Sequence, residues 1–287
     1  MASHEFILTI SCPDRPGIVH AVTGFLAQHN FNIVDSQQYG DPTSKRFFMR
    51  VHFAQLGGSD PKEVSDLRNS FDATAKSMSM DFEVTSNAHK PRVLIMVSKI
   101  GHCLNDLLFR HSTSQLRIEV PLIVSNHPEF QALADTYKIP FHHLPVTAAT
   151  KAEQEAKILG LVKEHNIELI VLARYMQVLS PTLCTAMSGK IINIHHSFLP
   201  SFKGAKPYHQ AYDRGVKIIG ATAHFVTSDL DEGPIIEQNV VRVGHSQSPK
   251  ELTTEGSNVE SNVLATAVKW VTERRVLMNG AKTVVFN

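Results

Sequence analysis

The stretch INIHHSFLPSFKGAKPYHQAY, Ile192 to Tyr212, begins as an apolar strand, passes through two histidines and continues as an irregular loop. Three other segments of the second half are short and almost wholly apolar: RVLIMVS, RIEVPLIVS and IELIVLA. Such runs are typical of strands buried on both faces of a parallel sheet. Helical patterns separate them, most clearly over Lys151–His165. The sequence therefore predicts an α/β fold with an open, mostly parallel, doubly wound sheet.

Asn193 and His195 lie at the end of the strand KIINIHH, two residues apart. Ligands of doubly wound sheets bind beyond the carboxyl ends of the strands. Side chains two apart on a strand share a face, so both are predicted to enter one crevice. An amide N–H can hold a carbonyl oxygen that gains negative charge, and an imidazole exchanges a proton near neutral pH.

A carboxylate partner for His195 is expected from TSDLDEGP, residues 227–234, which forms the predicted turn between two further strands. The candidates are Asp229, Asp231 and Glu232. A carboxylate near the imidazole would orient the ring and stabilise its charged form.

Each of these residues also has a purely structural interpretation. Asn193 is a possible strand-end cap, His195 a satisfied buried histidine, and Asp231 an ordinary turn residue before Gly-Pro. The signatures of dinucleotide sites, P-loops and serine-hydrolase elbows are missing from the sequence. The residues alone therefore indicate an α/β enzyme that acts on a carbonyl.

The first half has a different order of elements, strand–helix–strand–strand–helix–strand, from EFILTIS to MSMDFEVTS. Its third strand, RFFMRVHF, alternates in polarity and is predicted to be half-buried. The order fits a ferredoxin-like βαββαβ sandwich, one antiparallel sheet under two helices. We predict a first domain over 1–85, a linker over 86–91 and a second domain over 92–287, which ends in a hairpin around Asn279-Gly280.

The composition excludes several classes of protein. Lys and Arg total 28 against 27 Asp and Glu, with a net charge of +1 and no basic run, so neither nucleic acid nor a membrane is an expected partner. No signal peptide is recognised. The three scattered cysteines fit a reducing cytoplasm. Neighbouring residues on a strand point to opposite faces, so His142-His143 and His195-His196 do not make a metal motif, and no metal is predicted.

Four segments carry a resemblance to known families. NIHHSFLPSFKG and GATAHFVTSDLDEGPII contain, in order, the Asn, the His two residues later, the S-LP…G segment and the H-F-V…LD-GP-I segment of the formyltransferases that use formyltetrahydrofolate. This likeness runs from about Pro91 to the C-terminus. DRPGIVHAVTGFLAQHNFNIVD resembles an ACT domain, an amino-acid-binding regulatory module. The pairing of the two, together with RYMQVLS, resembles the formyltetrahydrofolate deformylase family.

The resemblance implies a reaction of one-carbon metabolism, linked to purine biosynthesis, and the residues of its site. The enzyme would hydrolyse 10-formyltetrahydrofolate to formate and tetrahydrofolate, with Asn193 and His195 on the formyl oxygen and Asp231 activating water. The residues implied to hold the folate are Arg174, Met176, Val178, Leu179, Val226, Ser228 and Asp229. Lys203 and Lys206 are either contacts for a glutamate tail or solvated loop lysines. No cofactor is implied, because the folate itself carries the one-carbon unit.

The ACT likeness implies a second, regulatory site. A small amino acid would bind near Asp14, Gly17 and Asn32, where Gly17 lets backbone N–H groups approach a carboxylate. The alternative is an ordinary turn at DRPG without a ligand. Because ACT modules often pair side by side, a homo-oligomer is expected.

Two other functions stay open. A transferase would pass the formyl group to an amine. Lys99, Ile100 and His102 make the turn after the first strand of this half bulkier than the Gly/Ser-rich phosphate-binding turn of glycinamide ribonucleotide formyltransferases, which argues against that alternative. A non-catalytic folate or amino-acid sensor would not need the Asn–His–Asp combination.

Overall fold

The structure, a computed structural model, describes residues 4–57, 62–200 and 207–287. The chain divides into two compact units. One contains the chain up to His89 together with Glu273–Asn287, and the other contains Lys90–Thr272. Within the described part of the chain, no helix has the length and apolar character needed to cross a membrane.

The first unit is the predicted ferredoxin-like sandwich. Its elements are β1 (Glu5–Pro13), α1 (Ile18–Gln28), β2 (Phe31–Asp41), β3 (Arg46–Gln55), α2 (Val64–Met78) and β4 (Asp81–Ser86). The strands pair antiparallel in the order β2-β3-β1-β4. The apolar sides of both helices pack with one face of this sheet into a single core. The predicted order and type of these six elements are confirmed.

The second unit is an α/β sheet of seven strands. Its elements are β5 (Arg92–Val97), α3 (His102–Ser112), β6 (Glu119–Ser125), α4 (Gln131–Thr136), β7 (Phe141–His143), α5 (Lys151–Glu164), β8 (Leu169–Leu172), α6 (Pro181–Ala186), β9 (Ile191–His195), α7 (Pro207–Asp213), β10 (Ile218–Phe225), β11 (Ile235–Arg242) and α8 (Pro249–Thr272). The strand order is β11-β10-β9-β8-β5-β6-β7. Strands β5 to β9 are parallel, and β10 and β11 are antiparallel to their neighbours. The predicted mostly parallel sheet is confirmed.

The direction of winding changes between β5 and β8. From β5 the chain adds β6 and β7 on one side, then returns to add β8 and β9 on the other. A crevice opens at such a change, beyond the carboxyl ends of the strands. Here the backbone N–H of Ser98, just after β5, donates to the carbonyl of Arg174, just after β8, at 3.2 Å. Two strand ends are thereby joined at the place where a ligand site is expected.

Three short elements of this unit were missed by the sequence analysis. Helices α4 and α6 have six residues each, and β7 has three. Segments of this length contain too few residues to display a period of 3.6 or 2.

Strand β3 is covered on both faces. The side chains toward the helices are Phe47, Met49, Val51 and Phe53. On the opposite face, Phe48 is fully buried in a cluster with Leu277, Val284 and Phe286. These three belong to a C-terminal hairpin of β12 (Val276–Asn279) and β13 (Lys282–Val285), together with the residue that follows it. The prediction that β3 is half-buried is therefore wrong.

The hairpin segment also satisfies polar groups of the first unit. Arg50 donates from Nε and Nη2 to the carbonyl of Glu273 at 3.3 and 3.1 Å. Asn279 Nδ2 donates to Asp41 Oδ2 at 2.8 Å. The sequence analysis included this segment in the second domain, and the structure differs because its apolar and polar contacts are made with β2 and β3. The linker predicted over 86–91 spans the change of unit between His89 and Lys90.

Candidate active site

A cavity of about 730 Å³ lies in the second unit, beyond the carboxyl ends of β8 and β9. All ten residues that the sequence analysis assigned to catalysis or folate binding line it: Asn193, His195, Asp231, Arg174, Met176, Val178, Leu179, Val226, Ser228 and Asp229. Small-molecule pockets typically measure roughly 300–1,000 Å³. The structure thus brings three separate segments of the chain to a pocket of suitable size for one organic ligand.

Asn193 is held by a histidine on the neighbouring strand. His224 of β10 lies directly opposite Asn193 of β9, and opposed side chains share a face. Asn193 Nδ2 is 3.2 Å from His224 Nε2, and His224 Nδ1 is 2.8 Å from the carbonyl oxygen of Phe225. We assign the His224 proton to Nδ1, which donates to that carbonyl, so that Nε2 accepts from Asn193. One amide N–H of Asn193 is then left for a ligand.

His195 pairs with Asp231. His195 Nδ1 lies 3.3 Å from Asp231 Oδ2. The ring is buried, and its Nε2 has no hydrogen-bond partner among the described residues. Buried polar nitrogens are nearly always hydrogen-bonded in folded proteins. With Nδ1 engaged by the carboxylate, Nε2 is the atom of this ring that a ligand would meet.

Thr222 fixes the backbone that follows His195. It lies opposite His195 on β10. Its hydroxyl donates to the carbonyl of Ser197 at 2.9 Å and accepts from the backbone N–H of Leu199 at 3.0 Å and from Gln238 at 2.9 Å. These bonds hold the first turn of the loop that follows His195.

Asp231 reaches this pair through an unusual backbone. Its φ is 57°, in the left-handed region, where a residue other than glycine is destabilised by about 1 kcal/mol or more. Two residues later, a Cβ on Gly233 would lie 1.7 Å from the carbonyl oxygen of Phe225. Glycine is therefore required for the loop to return so close to the end of β10, and this return carries Asp231 to His195.

Asp231 holds its negative charge at neutral pH. The hydrogen bond from His195 and the positive charge of that ring lower the pKa of Asp231 well below its usual value. They outweigh its partial burial, which raises that pKa. Asp231 is consequently a weak base as long as His195 donates to it, and its proton affinity rises when His195 gives up its proton.

The loops at the mouth of the cavity are apolar and exposed. Met176 and Val178 after β8 are 57% and 55% exposed, and Leu230 of the loop after β10 is 63% exposed. The first of these loops is held from beneath, because Ser98 Oγ accepts from the backbone N–H of Met176 at 2.9 Å and donates to Asn126 at 2.7 Å. Large apolar side chains left in water around a cleft suit a flat aromatic ligand.

A second carboxylate, Glu260 of α8, lines the same cavity and is 1% exposed. Its Oε2 is 2.9 Å from His102 Nε2 and 3.4 Å from Arg174 Nη1, and its Oε1 accepts from the Tyr208 hydroxyl at 2.5 Å. Burial raises the pKa of Glu260, but these three partners outweigh burial and the pKa is lowered. We call Glu260, His102, Arg174 and Tyr208 the Glu260 cluster.

The Glu260 cluster changes the interpretation of two predicted residues. Arg174 directs Nη1 of its guanidinium to Glu260, a contact that the implied folate-binding role does not include. His102, part of the bulky turn, uses its Nε2 for the same carboxylate. A Cβ on Gly256 of α8 would lie 2.1 Å from the Tyr208 ring, so glycine at this position lets Tyr208 reach Glu260.

One group of possible metal ligands lies next to this cluster. Donor atoms of His102, Cys103 and Glu260 lie within 4.8 Å of one another. The carboxylate is already paired, and burial raises the pKa of the Cys103 thiol above its ordinary value. Zinc and similar ions bind the thiolate form, so these surroundings do not favour a metal.

The predicted regulatory residues of the first unit do not come together. Asp14 follows β1 and Gly17, with φ of 92°, precedes α1, so both belong to one turn. Asn32 pairs with Ala54, and Ala54 pairs with Glu5 at the opposite end of β1. Strand β1 has nine residues. At about 3.3 Å per residue, Asn32 lies roughly 30 Å from Asp14 within one chain.

His224, Tyr208 and Glu260 are site residues that were not predicted from the sequence. His224 was contained in the H-F-V segment of the family resemblance, and that segment was the only signal for it. Tyr208 and Glu260 are 52 residues apart and belong to no common motif. Lys203 and Lys206, the candidates for a glutamate tail, lie outside the described residues.

The chain matches two family models in sequence. Residues 91–268 match the formyl transferase family, and residues 6–60 match the ACT domain. The first match covers the whole cavity, and the second covers β1 to β3 of the first unit.

Relatives extend these matches over the full length. A formyltetrahydrofolate deformylase of Corynebacterium sp. (strain P-1) is 52% identical over 279 residues, which is 97% of each chain. The crystal structure of a formyltetrahydrofolate deformylase from Burkholderia mallei superposes with a TM-score of 0.94 at 51% identity, covering 99% of this chain and 100% of that one. A phosphoribosylglycinamide formyltransferase from Anaplasma phagocytophilum matches 69% of this chain and 96% of its own, with a TM-score of 0.63 at 31% identity.

Proposed function

The chain belongs to the formyltetrahydrofolate deformylase family, and we infer that it hydrolyses 10-formyltetrahydrofolate to formate and tetrahydrofolate. One observation supports this reaction at the level of the site. An amide, an imidazole and a carboxylate from two distant segments meet in one cavity, with His195 Nε2 unpartnered among the described residues. Such a set suits attack of water on a carbonyl carbon.

The folate is proposed to bind between the loops after β8 and β10. Met176, Val178 and Leu230 would cover its flat rings. Backbone groups of these loops would hold the polar edge of the pterin. The formyl group would then lie at the carboxyl end of β9, next to Asn193 and His195.

The proposed chemistry begins with the formyl oxygen between two donors. It accepts from the free amide N–H of Asn193 and from Nε2–H of charged His195, whose Nδ1–H stays on Asp231. Water attacks the formyl carbon and loses a proton to Asp231. The tetrahedral intermediate collapses, the bond from carbon to N10 breaks, and N10 takes up the proton from His195. Formate and tetrahydrofolate leave.

After the reaction, one proton must return from Asp231 to His195 before the next cycle. After one turnover Asp231 carries a proton and His195 lacks one. Nδ1 of His195 keeps its hydrogen toward Asp231 at 3.3 Å, so the proton that Asp231 releases returns to Nε2 through water that enters once the products have left. The depressed pKa of Asp231 favours this return, because the charged pair is the more stable arrangement.

The test of the function is the release of formate without any amine. Purified protein is incubated with 10-formyltetrahydrofolate, and formate and tetrahydrofolate are measured in parallel. Equal amounts of both are expected. Turnover that depends on an added amine would indicate a transferase, and binding without turnover would indicate a sensor.

We also propose that the first unit binds a small amino acid at the turn containing Asp14 and Gly17. Gly17 adopts a left-handed conformation just before α1, and among the described residues no side chain of the N-cap position binds the first N–H groups of this helix. If Asn32 takes part, it must come from a second copy, given its distance from Asp14. Calorimetry with glycine and methionine tests the proposal, and no heat together with unchanged formate release would contradict it.

A homo-oligomer is proposed on the basis of strand β2. It pairs with β3 on one side, and within the described chain its other edge is unpaired. Val34 and Tyr39 on this strand are exposed. An edge strand with apolar side chains favours pairing with another copy. Light scattering of the full chain measures the assembly directly.

No cofactor is proposed, because the described residues supply every proton transfer and the folate carries the one-carbon unit. We propose the cytoplasm as the location, supported by the three cysteines, which are all buried free thiols.

A further inference from the structure

Three residues that line the cavity each have a buried nitrogen without a hydrogen-bond partner among the described residues: His195 Nε2, His196 Nδ1 and Arg174 Nε. The proposed reaction uses the first, on the formyl oxygen. The proposed reaction gives no role to His196 Nδ1 or Arg174 Nε. Since an unpaired buried polar atom destabilises a protein by about 1–3 kcal/mol, a bound molecule is the simplest explanation for both.

The backbone of Arg174 indicates that its side chain is needed. Its φ of 65° lies in the left-handed region, which glycine occupies without strain. An arginine there is destabilising by about 1 kcal/mol relative to an unstrained conformation. Its carbonyl accepts from Ser98 N–H, so the backbone is also anchored at this conformation.

The Glu260 cluster determines the direction of the guanidinium. Glu260 binds Arg174 through Nη1 at 3.4 Å, while His102 and Tyr208 occupy the rest of the carboxylate. Nε is not used in this ion pair. Arginine remains charged at all physiological pH values, so Nε–H is a permanent hydrogen-bond donor on a residue that lines the cavity.

His196 supplies the complementary group. Its ring is 5.0 Å from that of His195 and 6.4 Å from that of Tyr208, between the two ends of the cavity. Burial, together with the charge of Arg174, lowers the pKa of His196 to about 4. The ring is therefore neutral at pH 7, and Nδ1 can act as a hydrogen-bond acceptor.

A fixed donor and a neutral acceptor select water over an amine. Water has two lone pairs, so one can accept from Arg174 while the other attacks carbon. A neutral amine has a single lone pair, and a hydrogen bond from Arg174 would occupy the pair that must attack. The two O–H groups of water also suit His196 and Asp231 as acceptors.

We propose that Arg174 Nε–H and His196 Nδ1 bind the water that attacks the formyl carbon, and that the Glu260 cluster fixes Arg174 for this purpose. The inference rests on the proposed hydrolysis. Oxygen of this water forms the bond to the formyl carbon, its proton passes to Asp231, and the bond to N10 breaks as N10 takes the proton of His195. Arg174 and His196 exchange no proton and are positioning residues.

The test compares water with a competing nucleophile. Hydroxylamine, a small amine that is largely uncharged at neutral pH, converts the formyl group to formohydroxamate. Formate, formohydroxamate and tetrahydrofolate are measured for the wild type and for Arg174→Gly combined with Glu260→Gln, which removes both charges of the ion pair. Glycine accepts the left-handed conformation, so the backbone is retained. Arg110→Met, which breaks a pair with Asp106 on α3, serves as the control.

The wild type and Arg110→Met are expected to give formate almost alone. In the double variant, formate release should fall about 10- to 100-fold and the hydroxamate share should rise about tenfold. Formate within twofold of wild type with an unchanged share would overturn the inference, and so would a parallel fall of both products. Failure of the proposed function is separate, since the wild type itself would then release no formate.

A second pair of variants covers the case in which the double variant does not fold. The amide of asparagine takes the place of Nδ1, whereas phenylalanine has no polar group. His196→Asn is expected to keep formate release within about threefold of the wild type, and His196→Phe to lose about tenfold or more. Equal losses in the two variants would overturn the inference.

Discussion

Asp231 and Glu260 are two carboxylates that line one cavity, and each contacts a histidine. They differ in what their partners leave available. Asp231 holds His195, whose Nε2 has no partner among the described residues. Glu260 is bound by His102, Arg174 and Tyr208. Asp231 also lies on a strained loop, whereas Glu260 lies on a regular helix. The two carboxylates thus differ in the hydrogen-bonding positions that their surroundings leave open, while both have a lowered pKa.

Asp231→Asn should give the largest effect. Asparagine tolerates the left-handed conformation, so the loop is retained while the charge that supports His195 is lost. We expect formate release at saturating folate to fall about 10,000-fold, as in other sites where a carboxylate orients a catalytic histidine. Asp213→Asn, on the exposed side of α7, is the control. A loss below tenfold would mean that Asp231 is a structural carboxylate like Glu260.

Asn193→Ala should lower formate release about 100- to 1,000-fold, because one donor to the developing oxyanion is removed. His224→Ala, which frees the Asn193 side chain to rotate and removes a buried neighbour of Asp231, should lose about tenfold. Steady-state kinetics of both variants measures which of the two loses more formate release. A larger loss for His224→Ala would place His224, rather than Asn193, in contact with the formyl group.

Glu260→Gln tests the structural side of the comparison. Removing one partner of a buried ion pair leaves Arg174 uncompensated, and the free energy of unfolding should fall by about 3 kcal/mol. Trp270 of α8 is the single tryptophan, so its fluorescence during urea unfolding reports on the second unit. Formate release should fall less than tenfold. Glu153→Gln, which breaks an exposed pair with Lys157, should change stability by less than about 0.5 kcal/mol.

His196 should make the second unit sensitive to mild acid. Its pKa is about 4 in the folded chain and about 6.5 when unfolded, so the unfolded chain binds the extra proton first as the pH falls. The groups that influence it are Arg174, His195, Glu260 and Asp231. The stability that wild type has over His196→Asn at pH 7 should decrease by about 2 kcal/mol by pH 4.5, measured by the fluorescence of Trp270. A difference in unfolding free energy between the two proteins that stays constant from pH 7 to pH 4.5 would contradict this prediction.

Removal of metal ions should have the smallest effect. The carboxylate of the His102–Cys103–Glu260 group is paired and the thiol is protonated, so dialysis against EDTA should leave formate release unchanged. Loss of activity that zinc restores would show that Glu260 takes part in the reaction through a metal ion, and would remove its contrast with Asp231.

The two ends of the cavity also differ in how far they were predictable. Asn193 and His195 lie on one strand, so their common face followed from the pleat, and their place at the carboxyl end followed from strand polarity. Asp231 was one of three candidates in a turn, where alternation has no meaning, and the family resemblance separated them. The Glu260 cluster joins the starts of α3 and α7, the end of β8 and the middle of α8, and no local spacing connects these places.

The first unit shows a comparable limit. The βαββαβ order was readable because each element has its own period. The burial of Phe48 and Arg50 could not be predicted, because it depends on residues 273–287, more than two hundred positions away. Asn32 and Asp14 were grouped by the ACT likeness, and the strand register places them at opposite ends of the sheet.

The C-terminal hairpin has a consequence for the order of events during synthesis. Residues 273–287 leave the ribosome after all of 90–272, and they carry the side chains that cover the second face of β3. Phe48 of the first unit therefore stays uncovered until residues 90–272 of the second unit have been translated. A fragment that ends near His89 would lack this cover and would expose Phe48 on that face of the sheet.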